Sequence, residues 1–123
     1  MSDVDFEMIS NYDAQADALF LKVKKPYSYK ESVELADNVI LDFSEDNIPV
    51  ALEILDASKY FHVKPFSLRN FNFEMTIDVK EDTIHLEAVF MFLIHQKKEN
   101  RPVDLLTLND MKIPSMQTNY AVV

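Results

Sequence analysis

The sequence predicts a β-rich α+β fold in which antiparallel hairpins form one sheet with little helix. In residues 39–55 and 71–94, apolar residues recur at alternate positions, as expected of strands that bury one face. Each segment also folds back at an acidic turn so that apolar residues meet apolar residues. A chain of 123 residues is long enough to bury a core. We therefore expect a single domain over residues 1–123, with a β module at 8–62 and a second long hairpin plus a C-terminal segment at 63–123.

The first hairpin is predicted to turn at Asp46 and Asn47. Asparagine accepts the positive φ angle of a tight turn more readily than most residues. This turn pairs apolar residues on one face, namely Phe43 with Val50, Leu41 with Leu52, and Val39 with Ile54. On the other face it pairs Asp42 with Ala51 and Ile40 with Glu53, which places the two acidic residues on separate rungs of the sheet.

The second hairpin is predicted to turn at Asp82 and Thr83. Five apolar pairs then follow one another, namely Val79 with Leu86, Ile77 with Ala88, Met75 with Phe90, Phe73 with Phe92, and Phe71 with Ile94. A four-residue loop at 81–84 gives the same register without a positive φ angle at threonine. A helix over residues 87–100 is the alternative, but it would bury the run "FMFLI" on every side, so strands are favoured.

The other segments are less regular. The predicted elements are a strand at Ala18–Val23, a loop at 24–38 in which Ser32 caps a short helical turn, and a helical turn within 56–69 before Pro65. Residues 103–111 fit either a helix or a strand. The ending, residues 114–123, is unpatterned and is expected to be mobile or to dock as an arm.

The composition excludes several functional classes. Glycine is absent, and phosphate-binding loops and the dinucleotide fingerprint need residues without a Cβ atom, so nucleotide binding by these routes is excluded. Cysteine is also absent, which removes disulfides, thiol nucleophiles and thiolate metal sites. The longest apolar run, residues 88–94, is far shorter than the roughly 20 residues that span a bilayer. With an acidic start in place of a secretory signal, these features predict a cytoplasmic protein without a membrane segment or a cofactor.

The net charge of −9 is concentrated in the first half of the chain. Residues 1–62 contain 13 acidic and 5 basic side chains, whereas residues 63–123 contain 8 and 7. An acidic surface repels phosphate backbones, which disfavours nucleic-acid binding. Such a surface suits a basic protein partner.

Two motifs carry a resemblance to a known family. The first is "YDAQADALFLKV", which contributes Tyr12, Asp13, Ala16, Asp17, Ala18 and Leu19, and the second is "EILDAS" at residues 53–58. Over residues 8–60 the chain resembles the family known as domain of unknown function 2283. The resemblance implies a small β-rich fold and, because some members have a toxin-like neighbouring gene, an antitoxin-like role. Asn47 and Ala51 stand where the family usually has glycine, and no catalytic residue is implied.

The carboxylates of the first hairpin are candidates for a metal or acid/base site. Asp42, Ser44, Asp46 and Glu53 match ligand positions of a helix–loop–helix calcium loop, but the required glycine is missing and strands replace the helices. An acid/base pair needs surroundings that push two pKa values apart, which a uniformly acidic surface does not predict. We therefore expect a solvated hairpin face without a catalytic or metal site. The alternative is a polar site formed by Asp42, Asp46, Glu53, Asp56, Ser58 and His62.

The histidines of the long hairpin are also candidate metal ligands. His85, Glu87 and His95 are expected on one face of a strand. At roughly 3.3 Å per residue, His85 and His95 would lie about 33 Å apart, too far to share one metal ion. No metal site is predicted from this group.

The second face of the long hairpin carries an apolar stripe of Val89, Met91 and Leu93. This stripe is a candidate interaction surface unless the C-terminal segment covers it, a question that the sequence leaves open. Tyr27 and Tyr29 are further candidates because tyrosines are frequent at interfaces.

The leading functional hypothesis is a non-enzymatic protein-interaction module. It would be antitoxin-like, because it would bind a basic, toxin-like partner protein. One alternative is a small-molecule-binding protein or hydrolase with a pocket near Asp56, Ser58 and His62. Another is a structural homo-oligomer joined by sheet edges. A defined pocket that holds two close carboxylates would favour the enzyme.

Overall fold

Strands make up most of the molecule. The computed structural model describes residues 4–122; the first three residues of the acidic start and the last residue of the predicted arm lie outside it. The nine strands are β1 Phe6–Asp13, β2 Ala18–Val23, β3 Tyr29–Ala36, β4 Val39–Ser44, β5 Pro49–Ile54, β6 Asn72–Val79, β7 Thr83–Ile94, β8 Lys97–Leu108 and β9 Met116–Val122.

Helix is confined to two short segments among the described residues. These are α1, Ala57–Phe61, and a 3₁₀ helix, Pro65–Arg69, of five residues each. In this part of the chain neither is long or apolar enough to cross a membrane. The prediction of a β-rich single sheet with little helix is confirmed, but the label α+β is too broad for so little helix.

The strands form one sheet in the order β3-β4-β5-β2-β1-β9-β6-β7-β8. All neighbours are antiparallel except β1 and β9, which pair in parallel from Phe6 with Tyr120 to Met8 with Val122. The sheet curls, and its two edge strands, β3 and β8, approach each other without pairing. The inner face of the curl holds the core, and the outer face points away from it.

The core is rich in phenylalanine. Phe61 of α1 packs against Phe90 and Phe92 of β7, with ring centroids 4.5 and 5.2 Å apart. Phe73 of β6 lies 4.6 Å from Phe90. Fully burying each of these side chains contributes roughly 1.5–3 kcal/mol. The two short helices therefore cover the core near the start of β6.

The predicted first hairpin is confirmed in most of its detail. Asn47 has φ 62°, and the pairs Leu41 with Leu52 and Val39 with Ile54 are present. The prediction for Phe43 was wrong, because a bulge after Asp42 pairs Phe43 with Pro49. The left-handed Asn47 closes a longer turn than the two-residue one expected, and the bulge absorbs the difference.

The predicted register of the second hairpin was wrong by two residues. Ile77 pairs with Leu86, and Phe73 pairs with Phe90. The turn centres one residue earlier than predicted, as the bond from the Lys80 N–H to the Thr83 carbonyl shows (2.8 Å). This turn needs no threonine with a positive φ angle, and a shift of two keeps every apolar side chain on the same face.

The structure decides four predictions for the remaining segments, of which two are wrong and two are confirmed. The helix alternative at residues 87–100 is wrong, because β7 turns at His95 and Gln96, with φ 50° and 65°, into β8. The loop at 24–38 is also wrong, since it contains β3, which pairs with β4, and Ser32 is a strand residue. Pairing with a neighbour overrides the polar composition of this segment. The strand at Ala18–Val23 and the helical turn within 56–69 are confirmed.

The C-terminal segment is part of the sheet. Its strand, β9, lies between β1 and β6 and pairs with both. Tyr120 is buried, and its hydroxyl donates a hydrogen bond of 2.5 Å to the Pro49 carbonyl. The expectation of a mobile or docking arm was therefore wrong, and β9 does not lie over the outer face of β6 and β7.

Candidate functional site

Two acidic residues of the first hairpin meet on the outer face of the sheet. Asp42 of β4 is paired with Ala51 of β5, and Glu53 lies two residues further along β5. The prediction that they occupy separate rungs is correct. Diagonal neighbours of this kind are still within reach of each other when a side chain is long, and the Glu53 carboxyl reaches hydrogen-bonding distance of Asp42.

Strand β3 shields Asp42 from water. The aspartate is only 8% exposed, and the Ser32 hydroxyl lies 2.5 Å from its Oδ1, to which it donates a hydrogen bond. The Ser32 hydroxyl also lies 2.6 Å from the Tyr29 hydroxyl. A chain of hydrogen bonds therefore leads from the surface to the buried carboxylate.

The surroundings of Glu53 favour its protonated form. The hydrogen bond with Asp42, then burial, and then the charge of Asp42 raise the pKa of Glu53 to about 7, although the charge of Lys22 opposes the shift. Burial, with the charges of Asp42 and Glu53, also raises the pKa of Tyr27. Near neutral pH Glu53 therefore keeps much of its proton, which the sequence did not predict.

A cavity opens beside this pair. It has a volume of about 200 Å³ and is lined by Phe20, Lys22, Tyr27, Asp42, Ala51, Leu52 and Glu53. A second cavity of about 380 Å³ shares Phe20 and Lys22 with it and adds Ile9 and Asn11. Together the two cavities form an outer groove that is acidic at the β4 end and apolar at the β1 end. The second cavity alone is in the size range of small-molecule sites.

The other residues of the predicted polar site do not join this groove. Asp46 is exposed in the hairpin turn, and His62 is exposed at the end of α1. Asp56 precedes α1 with φ 52°, but its side chain makes no capping hydrogen bond. Ser58 points to Asp17 instead. The structure therefore does not bring Asp56, Ser58 and His62 together with the carboxyl pair.

The family motif residues form a hydrogen-bonded cluster around Asp17. Its carboxylate accepts bonds from the Tyr12 hydroxyl (2.6 Å), the Ser58 N–H (3.0 Å) and the Ser58 hydroxyl (2.7 Å). Burial opposes ionisation, but these hydrogen bonds prevail and lower the pKa of Asp17. Asp17 thus caps α1 from 41 residues away. The motif holds β2 to α1 and has a structural explanation.

The predicted interaction residues are only partly exposed. Val89 and Met91 are half-buried, whereas Leu93 is 61% exposed. Tyr27 lines the groove, and Tyr29 is exposed beside Ser32. Three exposed apolar residues near the end of β8 were not predicted as a surface, namely Leu106, Leu108 and Met111.

The groove residues outside the acidic pair were missed for a physical reason. Lys22 and Phe20 alternate with buried residues in β2, and this pattern places them on the outer face. Their position beside Glu53 depends on the pairing of β2 with β5, which joins two elements far apart in the sequence. Ser32 was not predicted to contact Asp42, because residues 24–38, which contain β3, were predicted to form a loop.

Comparisons with known proteins identify relatives. Residues 10–58 match the family model described as "Protein of unknown function (DUF2283)", which confirms the resemblance. A protein of Methanosarcina mazei named "Putative hypoxanthine phosphoribosyltransferase" is 35% identical over 105 residues, which cover 85% of this chain and 84% of that protein. An uncharacterized protein of Methanocaldococcus jannaschii is 34% identical over 91 residues, which cover 72% of this chain and 76% of that protein. No solved structure matches the chain. The chain belongs to one family with these two proteins, and its residues 10–58 carry the DUF2283 family pattern.

Proposed function

We propose that the protein binds a small molecule in the outer groove at Asp42 and Glu53. One observation carries the proposal: two carboxyls within hydrogen-bonding reach of each other line a cavity together with a lysine and two aromatic side chains. Burying Asp42 and holding a proton on Glu53 both lower the stability of the fold. Acidic residues that serve only solubility need neither burial nor protonation. Perturbed carboxyls of this kind cluster at functional sites.

The lining of the groove indicates the class of ligand. Carboxyl oxygens are hydrogen-bond acceptors, so the β4 end suits a nitrogen head group that donates hydrogen bonds, such as an amine, amidine or amide. Phe20 and Ile9 provide an apolar surface further along the groove. The ligand therefore combines an N–H donor group with a planar or apolar body.

The enzymatic form of this proposal is acid–base chemistry on the bound molecule. A working pair needs one protonated and one ionised group at the same pH. Glu53, with its raised pKa, would supply the proton. If the protein is a hydrolase, we therefore propose its active site at the Asp42–Glu53 pair and no longer at Asp56, Ser58 and His62.

The name of the Methanosarcina mazei relative bears on the ligand. Hypoxanthine, which appears in that name, is a planar heterocycle with N–H donors and fits the proposed class. The phosphoribosyl part of the name finds less support, because phosphate groups need clustered N–H donors or basic side chains. Lys22 is the one basic side chain among the described residues that line the groove. We therefore do not extend phosphoribosyl transfer to this chain.

The proposal is tested by a ligand-observed NMR screen with purified protein. The screen compares amines, amides and heterocycles that donate N–H groups with carboxylic acids of similar size. We expect binding from the first group only. In protein-observed spectra the same compounds should shift the Phe20 and Tyr27 ring signals. Binding should be lost in the double variant Asp42→Asn with Glu53→Gln, which keeps the shape of the site but removes its negative charge.

Glu34→Gln is the matched control, because Glu34 is an exposed acidic residue of the neighbouring strand β3. The proposal fails if carboxylic acids bind equally well, or if the double variant binds as well as the control.

A second candidate function is self-association through the edge of β8. Charged side chains and Pro102 prevent residues 97–102 of this edge strand from pairing with another strand. Natural edge strands commonly avoid pairing in this way. Its 105–108 end is uncharged, and Leu106 and Leu108 there are each 65% exposed. A second copy that packs on the outer face at this end would bury both leucines. A homo-oligomer of this kind was one of the alternatives from the sequence.

Light scattering over a range of concentrations tests the second candidate. A dimer that dissociates in the Leu106→Lys and Leu108→Lys double variant, but not in Met91→Lys, would support pairing at β8. Dissociation by Met91→Lys alone would favour the predicted stripe instead. A basic, toxin-like partner is a separate prediction from the acidic first half of the chain and the family resemblance, and it would bind that acidic half or the apolar stripe.

A further inference from the structure

A second group of ionisable side chains lies on the outer face of β7 and β8, away from the groove. His85 and Glu87 are two residues apart on β7 and so point to the same face. Asp104 of β8 is paired directly with Glu87. His85 Nε2 lies 2.6 Å from Asp104 Oδ1 and 3.4 Å from Glu87 Oε1.

The spacing of these three groups suits one metal ion. One potential ligand atom from each residue lies within 4.8 Å of the other two. A zinc ion with ligands at about 2.0–2.2 Å holds them about 3.3–3.6 Å from one another in a tetrahedron. The separation of His85 Nε2 from Glu87 Oε1 lies in this range and that from Asp104 Oδ1 is shorter, so small side-chain movements would complete the geometry.

The charges around the group favour a cation. Like charges directly opposite each other on neighbouring strands are destabilising, and Glu87 and Asp104 are such a pair. A cavity of about 290 Å³ adjoins them and is also lined by Glu74 and Thr76. Among the described residues that line this cavity there is no lysine or arginine. A divalent ion bound by His85 would neutralise both carboxylates at once.

We propose that His85, Glu87 and Asp104 form a binding site for a divalent first-row transition-metal ion such as Zn²⁺. One imidazole and two carboxylates are ligands that such ions accept. Three protein ligands leave coordination positions open toward the cavity, where water or a small ligand can bind. The site is separate from the outer groove and does not depend on the function proposed for it.

The sequence could not reveal this group. The sequence pattern grouped His85 with Glu87 and His95. The turn at His95 and Gln96 leads into β8, which was not predicted as a strand over its full length. That turn brings Asp104 back along β7, 19 residues after His85. The expectation that no metal would be shared between His85 and His95 does not bear on the new group.

Calorimetric titration of the protein with zinc chloride tests the proposal. We expect one site, with binding weakened at least about tenfold in His85→Gln and in Asp104→Asn, since each variant removes a ligand. His95→Gln and Glu99→Gln are matched controls on the same hairpin and should bind as the unmodified protein does. The three ligand side chains are partly or largely exposed, so these variants should fold, which circular dichroism checks.

A second measurement assigns the ligand directly. The chain has three histidines, so paramagnetic Co²⁺ can be followed by the broadening of three sets of ring signals. We expect the His85 signals to broaden first, at substoichiometric Co²⁺. Equal broadening of all three histidines, or zinc binding unchanged in His85→Gln, would overturn the proposal and leave His85 as an ion-pair partner of Asp104.

Discussion

At the scale of single residues, the candidate function depends on how Asp42 raises the pKa of Glu53. Their alternation in the first hairpin could be predicted, and both were placed on the outer face. Their coupling could not, because it depends on the shielding of Asp42 by Ser32 from β3 and on the nearby ring of Tyr27. Both come from a segment whose polar composition indicated a loop. The acidic pair was therefore read as solvated when one of its members is buried.

The raised pKa of Glu53 predicts how stability changes with pH. Between its ordinary value of 4.5 and about 7, the folded state holds a proton that the unfolded state has released. Stability should therefore fall as pH rises through this window, by on the order of 1 kcal/mol after allowance for solvent screening. Glu53→Gln should remove this loss, because the amide is neutral and can still donate a hydrogen bond to Asp42.

Urea unfolding at several pH values measures this effect. Above about pH 7 the variant Glu53→Gln should be more stable than the unmodified protein, and below about pH 4.5 the two should be similar. The exposed Glu34→Gln variant should follow the unmodified protein throughout. Parallel profiles for all three proteins would show that Glu53 titrates normally.

Asp17 explains why the family motif joins two distant segments. Its three hydrogen bonds link Tyr12, the start of β2 and α1, so removing the carboxylate should cost about 2–4 kcal/mol of unfolding free energy in Asp17→Ala. Alanine also fits the φ angle of 52° poorly. A double-mutant cycle with Ser58→Ala, followed by urea unfolding, should give a coupling energy of about 1 kcal/mol or more. Additive effects would contradict a direct bond between the two side chains.

At the scale of secondary-structure elements, β9 is the largest departure from expectation. Residues 114–123 have no clear alternation, and nothing local indicates that β9 pairs in parallel with β1 and antiparallel with β6. The first hairpin and β2 could be predicted because their pairing is local or strongly periodic. The shifted register of the second hairpin follows from turn geometry that the apolar pattern cannot distinguish, since a shift of two residues leaves the faces unchanged.

Because β9 is internal to the sheet, removing it should not simply remove an interaction arm. Deletion of residues 116–123 should unfold the protein, because it leaves β1 and β6 without their shared neighbour. The milder variant Tyr120→Phe should remain folded but lose about 1–3 kcal/mol, since it leaves the buried Pro49 carbonyl without its donor. Thermal unfolding followed by circular dichroism distinguishes the two. A folded, cooperative deletion variant would show that β9 is dispensable for the sheet.

At the scale of the whole molecule, the curled sheet has a protected centre and two open edges. Strands β1, β9 and β6 are each paired on both sides, whereas β3 and β8 are each paired on one side. The backbone N–H groups at the free edges have no strand partner. This arrangement depends on the strand order, which could not be derived from a sequence in which β3, β8 and β9 were not recognised as strands.

Native-state hydrogen exchange should reproduce this gradient. Amides of β9 that bond to β6 or β1 should exchange most slowly, near the rate set by global unfolding, because they open only when the sheet separates. Outward-pointing amides of β3 and β8 should exchange fastest among the strands. Slow exchange along the free edge of β8 that disappears on dilution would instead indicate a second copy paired there.

The most direct test of the proposed site is the titration of the Glu53 side chain by carbon-detected NMR. We expect the Glu53 carboxyl to titrate with a pKa of about 7, and this value to fall toward the ordinary one in Asp42→Asn, which removes the carboxylate partner of its hydrogen bond and the neighbouring charge. A Glu53 carboxyl that titrates near 4.5 in the unmodified protein would contradict the raised pKa and, with it, the proposal that the outer groove is the functional site.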